Sequence, residues 1–444
     1  MVARTDEAPA PVAAADGVTT RTDRKGLIAW CVFDWGNSPY PTVIVTFVFA
    51  AYFASAIAPN ETAGQEMWGV AMSLSGLALA ILAPIIGAIS DRMGRRKPWL
   101  ALLSVGAILS GGALWFLTPE PGMLVPALVL AGVGNLMFEF VSVFYNAMLP
   151  DLVPKARLGR VSGWGWGLGY AGGLACLAVA LVVFVQPEVA PFGLDKAEAE
   201  HIRILGPLVA VWFAVFTIPL FLYTPDRPGT GVSLGQATRQ GLFALAETFR
   251  QARRYGNVLR FLVARIFYID GLNTLFALGG IYAAGVFGME LEEVLLFGVL
   301  INITAGLGAF AFAWIDDWIG PKRTVLICIV ALSLVSLAIL ITESKTVFYG
   351  LAMGIGIFMG PIQSASRSLM AHMAPMEMRT EMFGLFALSG KITSFVGPAA
   401  VAILTAVTES QRIGMSAIIV LFVVGGLVML GVKEPERPAP PVEI

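Results

Sequence analysis

Runs of about 20 apolar residues, separated by short polar stretches, recur twelve times along the chain, and each is long enough to cross a hydrocarbon layer as a helix. The pattern places spans at 27–57, 66–90, 98–117, 123–149, 159–185, 202–223, 258–287, 293–315, 323–342, 346–371, 380–407 and 412–431. Helices satisfy their own backbone hydrogen bonds where no water is present, so the fold class expected is an all-α polytopic membrane protein. A long polar stretch, 224–257, separates six spans from six. The expected organisation is a disordered tail over 1–25, a six-helix bundle over 26–223, a linker over 224–257, a second bundle over 258–432 and a tail over 433–444.

Within these apolar runs a polar device occurs twice. Asp34 is followed by Asn37 and Ser38, and 236 residues later Asp270 is followed by Asn273 and Thr274. Between spans two and three the chain reads Gly87, Asp91, Arg92, Gly94, Arg95, Arg96 and Lys97; between spans eight and nine, 226 residues on, it reads Asp316, Asp317, Gly320, Lys322 and Arg323. Pro154, Gly163 and Gly169 return as Pro375, Gly384 and Gly390 at an offset of 221. Three ordered matches at similar offsets imply two homologous six-helix bundles related by pseudo-symmetry.

Composition sharpens the class. The 444 residues are 57% hydrophobic and 13% charged, with mean hydropathy +0.78, against roughly 25% charged residues in a soluble domain. A net charge of −1 gives no reason to expect nucleic acid. Lys and Arg concentrate in the even-numbered loops and near the termini, which orients both termini to the cytoplasm of a bacterial-type inner membrane. Residues 234–254 set Leu234, Leu242, Leu245 and Phe249 against Arg239, Arg250, Arg253 and Arg254, the pattern of an amphipathic helix lying on an anionic leaflet. Cys31, Cys176 and Cys328 lie in apolar runs without paired spacing, so neither a disulfide framework nor a zinc site is expected. His201 and His372 have no metal-ligand companion at helical spacing, and no nucleotide, nucleophile-elbow or metalloprotease motif occurs. No cofactor and no enzymatic activity are expected.

The run Gly87, Asp91, Arg92, Gly94, Arg95, Arg96, Lys97 resembles the signature of the major facilitator superfamily between helices two and three. Within that superfamily the first span, with Asp34, Trp35, Asn37 and Ser38, is similar to the vacuolar effluxer branch. Tyr268, Asp270, Asn273 and Thr274 in span seven and the glycine-rich stretch from Ser162 to Gly173 in span five carry the same likeness. The resemblance implies a twelve-helix secondary transporter that works by alternating access, as a monomer in the lipid bilayer, on a small-molecule solute. Eukaryotic members of the branch are associated with amino-acid export from vacuoles, so an amino acid or related organic solute is the leading expectation. A sugar or muropeptide-type symporter and a non-transporting receptor or assembly factor of the same fold are the alternatives. Cavity-facing Trp35, Trp164, Trp166 and Tyr170 would favour the sugar reading.

In that fold helices one, four, seven and ten line a central cavity, with five and eleven beside them. The charges inside spans, Asp34, Glu139, Arg265, Asp270, Arg367 and Lys391, fall on helices one, four, seven, ten and eleven. Such costly groups mark substrate or ion paths. With Asn37, Ser38, Asn146 and Asn273 they form the expected substrate and coupling cavity. The carboxylates are candidate proton acceptors, with protons as a coupling ion, and the cations are candidate anchors for a substrate carboxylate or phosphate. The alternatives are a structural ion pair between Glu139 and Lys391 or an arginine, and an Arg367 that snorkels to the membrane surface. Gly87, Asp91, Arg92, Gly94, Arg95 and Arg96, with Asp317 and Gly320 in the second copy, form the expected conformational latch; Trp318 and Pro321 depart from the pattern there. Pro39 and Pro41 are expected to break or kink the first helix and free carbonyls beside the site.

Overall fold

The computed structural model describes residues 24–250 and 255–434. Most of the two tails, together with Arg253 and Arg254, lies outside the described residues. Among the described residues twelve helices have the length and apolarity to span a membrane: α1 Arg24–Ile57, α2 Glu61–Met93, α3 Lys97–Phe116, α4 Pro121–Leu152, α5 Lys155–Val185, α6 Glu200–Tyr223, α7 Gly256–Phe287, α8 Glu292–Ile319, α9 Pro321–Ile341, α10 Lys345–Met373, α11 Met376–Thr408 and α12 Gln411–Leu430. Several outrun their apolar cores because polar residues at the ends supply caps. Asn60 accepts from the Ala63 amide at 2.9 Å, and Glu290 and Glu293 form a reciprocal capping box.

The helices pack as two repeats. In the first, α1 lies against α5 and α6, α3 against α4 and α6, and α2 against α4; in the second, α7 lies against α11 and α12, α9 against α10 and α12, and α8 against α10. Adding six to each number of the first set gives the second. Two seams join the repeats, α2 with α11 and α5 with α8, and small residues bring the backbones together there. A Cβ on Gly87 would stand 2.6 Å from the Thr380 carbonyl oxygen, and one on Gly384 equally close to that of Ala83. Outward-facing Leu74, Leu102, Val211 and Leu334 are well exposed, as lipid-facing side chains should be.

Two of these helices are interrupted near their middle. In α1 the first α-helical part ends at Asn37, and π-helical turns over Tyr40–Phe47 and Phe53–Ile57 follow on either side of a short α-helical stretch, Phe49–Tyr52. Pro39 has no N–H for the Trp35 carbonyl, which instead accepts the Trp212 indole at 3.3 Å. The interruption is therefore as expected, but this carbonyl serves α6 rather than a ligand. The second irregularity departs from the expected unbroken span 380–407. Helix α11 divides into Arg379–Lys391 and Val396–Thr408, because Pro398 can neither donate to the Ser394 carbonyl nor fit beside it. The first half lies against α2, while beyond the break Phe395, Ile403 and Val407 are exposed, as are Gly69 and Ser73 on the seam side of α2, where a Cβ on Gly69 would have nothing within 4 Å. The α2–α11 seam is thus closed at one end of the molecule and parted at the other.

The linker forms a helix over Leu234–Arg250. Its small face, Ala237 and Gly241, is buried against α2, where a Cβ on Gly241 would stand 2.9 Å from the Ile89 nitrogen. Leu234 and Leu242 remain exposed beside this contact, the arrangement of a helix held to the protein on one side and free to meet lipid on the next.

Candidate functional site

A cavity of about 300 Å³ lies between the two repeats. It is lined from α1 by Asp34, Asn37 and Ser38; from α4 by Asn135, Glu139, Ser142 and Asn146; from α5 by Trp166; from α7 by Arg265 and Asn273; from α10 by Gln363 and Arg367; and from α11 by Phe386 and Lys391. A larger recess of about 660 Å³ around Arg95, Lys97 and Phe221 opens on the surface of one repeat. We take the smaller one as the candidate site, because buried charge converges on it from both repeats.

Two ion pairs cross the cavity from one repeat to the other. Arg367 Nη1 donates to Asp34 Oδ2 at 3.0 Å and to Asn146 Oδ1 at 3.1 Å, while its Nε and Nη2 donate to the hydroxyl and carbonyl of Ser162. Its guanidinium also sits 4.9, 5.6 and 5.7 Å from the ring centroids of Trp30, Tyr145 and Trp166. The snorkelling alternative is therefore wrong: Arg367 is buried, and its cation is compensated by a carboxylate and three aromatic faces. Glycine makes the room. A Cβ on Gly165 would stand 2.7 Å from Asp34 Oδ2 and 2.9 Å from Arg367 Nη2.

The second pair joins Lys391 Nζ to Glu139 Oε1 at 2.9 Å. Both side chains are about one-third exposed, 34% and 33%, so this bridge borders the open part of the cavity. Lys391 ends the first half of α11, where a cation is favoured by the carbonyl end of the helix.

Arg265 differs from both. Its Nη1 donates to the Phe386 carbonyl at 2.6 Å and to Ser389 Oγ at 2.8 Å, and its guanidinium carbon lies 3.6 Å from the Phe386 ring centroid. Among the described residues it forms no salt bridge, and its Nε has no hydrogen-bond partner. Asn37 donates to Ser142 Oγ at 3.1 Å but leaves its own Oδ1 unpartnered among the described residues. A cation and an amide oxygen thus remain available to a ligand.

Asp270 does not line this cavity. Only 3% exposed, it accepts the Gly397 amide at 3.1 Å through Oδ2, where the second half of α11 begins. An acid is favoured at a helix N-terminus whose amides have no helical acceptor. The position carries a signal in sequence, Gly397–Pro398 inside an apolar run, but its pairing with Asp270 does not.

Of the four aromatic residues that would favour sugar stacking, only Trp166 lines the cavity. Trp35 stacks on Trp212 at 6.1 Å, Trp164 meets Trp314 at 5.8 Å, and Tyr170 accepts from Gln363 at 3.1 Å. Asn135, Ser142 and Gln363 are lining residues that sequence reasoning missed; single polar residues in apolar spans were the available signal.

At the closed end of the α2–α11 seam, Asp91 accepts the Thr380 hydroxyl at 2.7 Å and the Glu381 amide at 2.9 Å. The carboxylate sits on the first turn of the first half of α11. Gly94, with φ +84°, turns the chain out of α2, and Arg96 returns into the seam, only 2% exposed. Arg96 donates to Thr380 Oγ1 at 2.9 Å and to Asp151 Oδ2 at 2.5 Å. Burial pushes this guanidinium's proton affinity down, and Asp151 opposes that. Asp151, which the sequence did not single out, also receives Arg227 from the linker in a bidentate pair and Arg379 from α11. Arg92 and Arg95 are exposed. In the other seam, Asp317 Oδ1 accepts the Arg160 amide at 3.0 Å, its Oδ2 forms an ion pair with Arg160 Nε 3.2 Å away, and Gly320 makes the same kind of turn with φ +95°.

Comparison with known proteins agrees with this architecture. The family described as "Vacuole effluxer Atg22 like" matches residues 57–437. The uncharacterised MFS-type transporter YxiO of Bacillus subtilis is 28% identical over 415 residues, covering 91% of this chain and 94% of that one. Autophagy-related protein 22-1 of Penicillium rubens is 26% identical over 269 residues; the match covers 55% of this chain and 44% of the fungal protein, less than half its length. Among solved structures, the proton:xylose symporter XylE superposes with a TM-score of 0.70 over 92% of this chain and 96% of that one, at 13% identity, a likeness of fold alone.

Proposed function

The chain belongs to the vacuole effluxer Atg22-like family of major facilitator transporters, and from that premise we propose that it moves a small carboxylate-bearing solute, an amino acid or related organic solute, by alternating access. The observation that carries the substrate reading is Arg265, a cation in a cavity between two repeats that has no carboxylate partner among the described residues. A solute carboxylate can take the guanidinium in charge-assisted hydrogen bonds, with Asn37 Oδ1 ready to accept from an ammonium or hydroxyl. Glu139–Lys391 and Asp34–Arg367 then act as breakable struts between bodies 26–223 and 258–432, with linker 224–257 tying them. Asp91, with Gly87, Arg92, Gly94, Arg95 and Arg96, latches one end, and Asp317 with Gly320 the other seam. The basic residues at the latched end support a cytoplasmic placement of that end and of both termini, in a bacterial-type inner membrane. The protein acts as a monomer, with protons as the coupling ion.

Thermal stability of the purified protein measured against amino acids, dipeptides, sugars and organic anions tests the substrate reading. Ligand at about 100 times its Kd adds about 2.7 kcal/mol to stability, so carboxylate-bearing solutes should raise Tm in the wild type and lose most of that effect in Arg265→Met. Stabilisation by neutral sugars alone would sink the proposal. Labelling of single cysteines at Arg239 and Phe192 from either side of sealed vesicles tests the orientation: reagent reaching position 239 from outside would reverse it.

A further inference from the structure

Three acids, Asp34, Glu139 and Asp270, lie toward the middle of the helices that form the central site, and two of them face a cation in the opposite repeat: Asp34 faces Arg367, and Glu139 faces Lys391. Asp270 has none. Its Oδ2 accepts one backbone amide, that of Gly397, and its Oδ1 has no hydrogen-bond partner among the described residues. Charged groups on every neighbouring element are otherwise engaged or far along the helix. On α7 itself Arg265 turns to Phe386 and Ser389, and on the first half of α11 Lys391 is held by Glu139, with Glu381 at its far end. On α10 Arg367 is enclosed by Asp34, Asn146 and Ser162; on α12 Arg412 donates to the Leu340 and Thr342 carbonyls at the end remote from the break. On α8, Glu292 and Glu293 stand at one end and Asp316 and Asp317 at the other.

Two terms of opposite sign therefore act on Asp270. Burial without a counter-cation favours the neutral acid, while the N-terminus of the second half of α11 favours the carboxylate. The contact falls at a hinge. Lys391 closes one half-helix, Val396 opens the next, and a Cβ on Gly397 would stand 2.0 Å from Thr274 Oγ1, so Gly397 is seated directly on the Asp270 turn of α7.

We propose that Asp270 is the proton site of the transport cycle and that its charge sets the angle of the second half of α11. Ionised, it holds the Gly397 amide by a charge-assisted bond and keeps the second half of α11 away from α2, the parted state described above. When the contact between α7 and the second half of α11 loosens, water reaches Oδ1 and delivers a proton, the bond to Gly397 becomes a neutral one, and the second half of α11 is released to close on α2. The proton returns to water on the opposite side once that side opens, so one proton crosses per cycle. Glu139 and Asp34 serve as struts between the repeats.

This inference rests on alternating access but not on the solute, so it can be tested with no ligand. Spin labels at Ser73 on α2 and Ile403 on α11, both exposed, report the width of the seam from about pH 5 to about pH 9. In wild type the labels should approach as pH falls, with at least a tenfold change in the ratio of parted to closed molecules. Asp270→Asn should show the closed distribution at every pH, and Glu139→Gln should titrate like wild type. A wild type indifferent to pH, or an Asp270→Asn protein that titrates normally, overturns the assignment. If Asp270→Asn does not yield folded protein, Asp270→Glu serves: a displaced midpoint supports the site, and an unchanged one refutes it. Asp91→Asn separates the two readings, because a variant that exchanges between states while wild type ignores pH leaves alternating access standing and removes the proton site alone.

Discussion

The two seams are built on one plan and reinforced differently. In each, an aspartate on the last turn of one helix, Asp91 or Asp317, docks on the first-turn amides of a helix from the other repeat, at Glu381 or Arg160. In each, a glycine of positive φ turns the chain, and the lysine that follows caps a neighbouring C-terminus: Lys97 takes the Phe221 carbonyl at 2.8 Å and that of Thr224, and Lys322 takes the Leu430 carbonyl at 3.0 Å. Only the α2–α11 seam adds Asp151 and its three arginines. The reason lies at the matching positions. At the repeat offset of 221, Asp151 becomes His372 and Arg379 corresponds to Leu158, while Arg227 belongs to the linker, which occurs once. A carboxylate on a helix N-terminus is thus the shared device, and the arginine network is an addition to one side. The departures at Trp318 and Pro321 leave the Asp317 contact intact.

The sharpest way to break the comparison is Asp151→Ala, which leaves buried Arg96 only the more distant Asp91 carboxylate, 3.7 Å away, and sets Arg227 and Arg379 against it uncompensated. Removing one partner of a buried pair costs roughly 3–5 kcal/mol, so Tm in detergent should fall by several degrees, whereas His372→Ala at the matching position should scarcely move it. Next come the glycines. A Cβ at position 87 meets the Thr380 backbone, while one at 159 meets the Asp316 side chain, 2.5 Å away at Cγ. Backbone cannot yield as a side chain can, so Gly87→Ala should cost about 1–3 kcal/mol and Gly159→Ala less; equal losses would contradict the difference in the seams. Asp91→Asn and Asp317→Asn each remove a charge from a helix N-terminus, worth about 1–2 kcal/mol when partly buried. Each should raise cysteine accessibility within its own seam, and the effect of Asp91→Asn should be the smaller if Arg96 and Asp151 suffice to hold α2 against α11. Smallest should be the lysine caps: Lys97→Ala and Lys322→Ala should each cost about 0.5–1 kcal/mol, alike in size, as measured by urea unfolding in detergent.

Twelve spans, the division into two repeats and the duplicated Asp-Gly turns were legible because each rests on local physics. A helix closes its own hydrogen bonds within one stretch of chain, and a repeated motif needs no partner to be recognised. Even the hinge in α11 had its local mark in Pro398. What tertiary structure alone decided is which charges meet. Asp34 finds Arg367 across 333 residues and Glu139 finds Lys391 across 252, while Asp270, spelled like Asp34, turns instead to Gly397. Inside a bilayer the lipid-facing and bundle-facing sides of a helix are both apolar, so the hydrophobic pattern gives no azimuth for a polar residue. Azimuth and depth follow from how closely helices approach. That closeness is set by glycines such as Gly165, Gly384 and Gly397, whose neighbours are named only when the two repeats have packed.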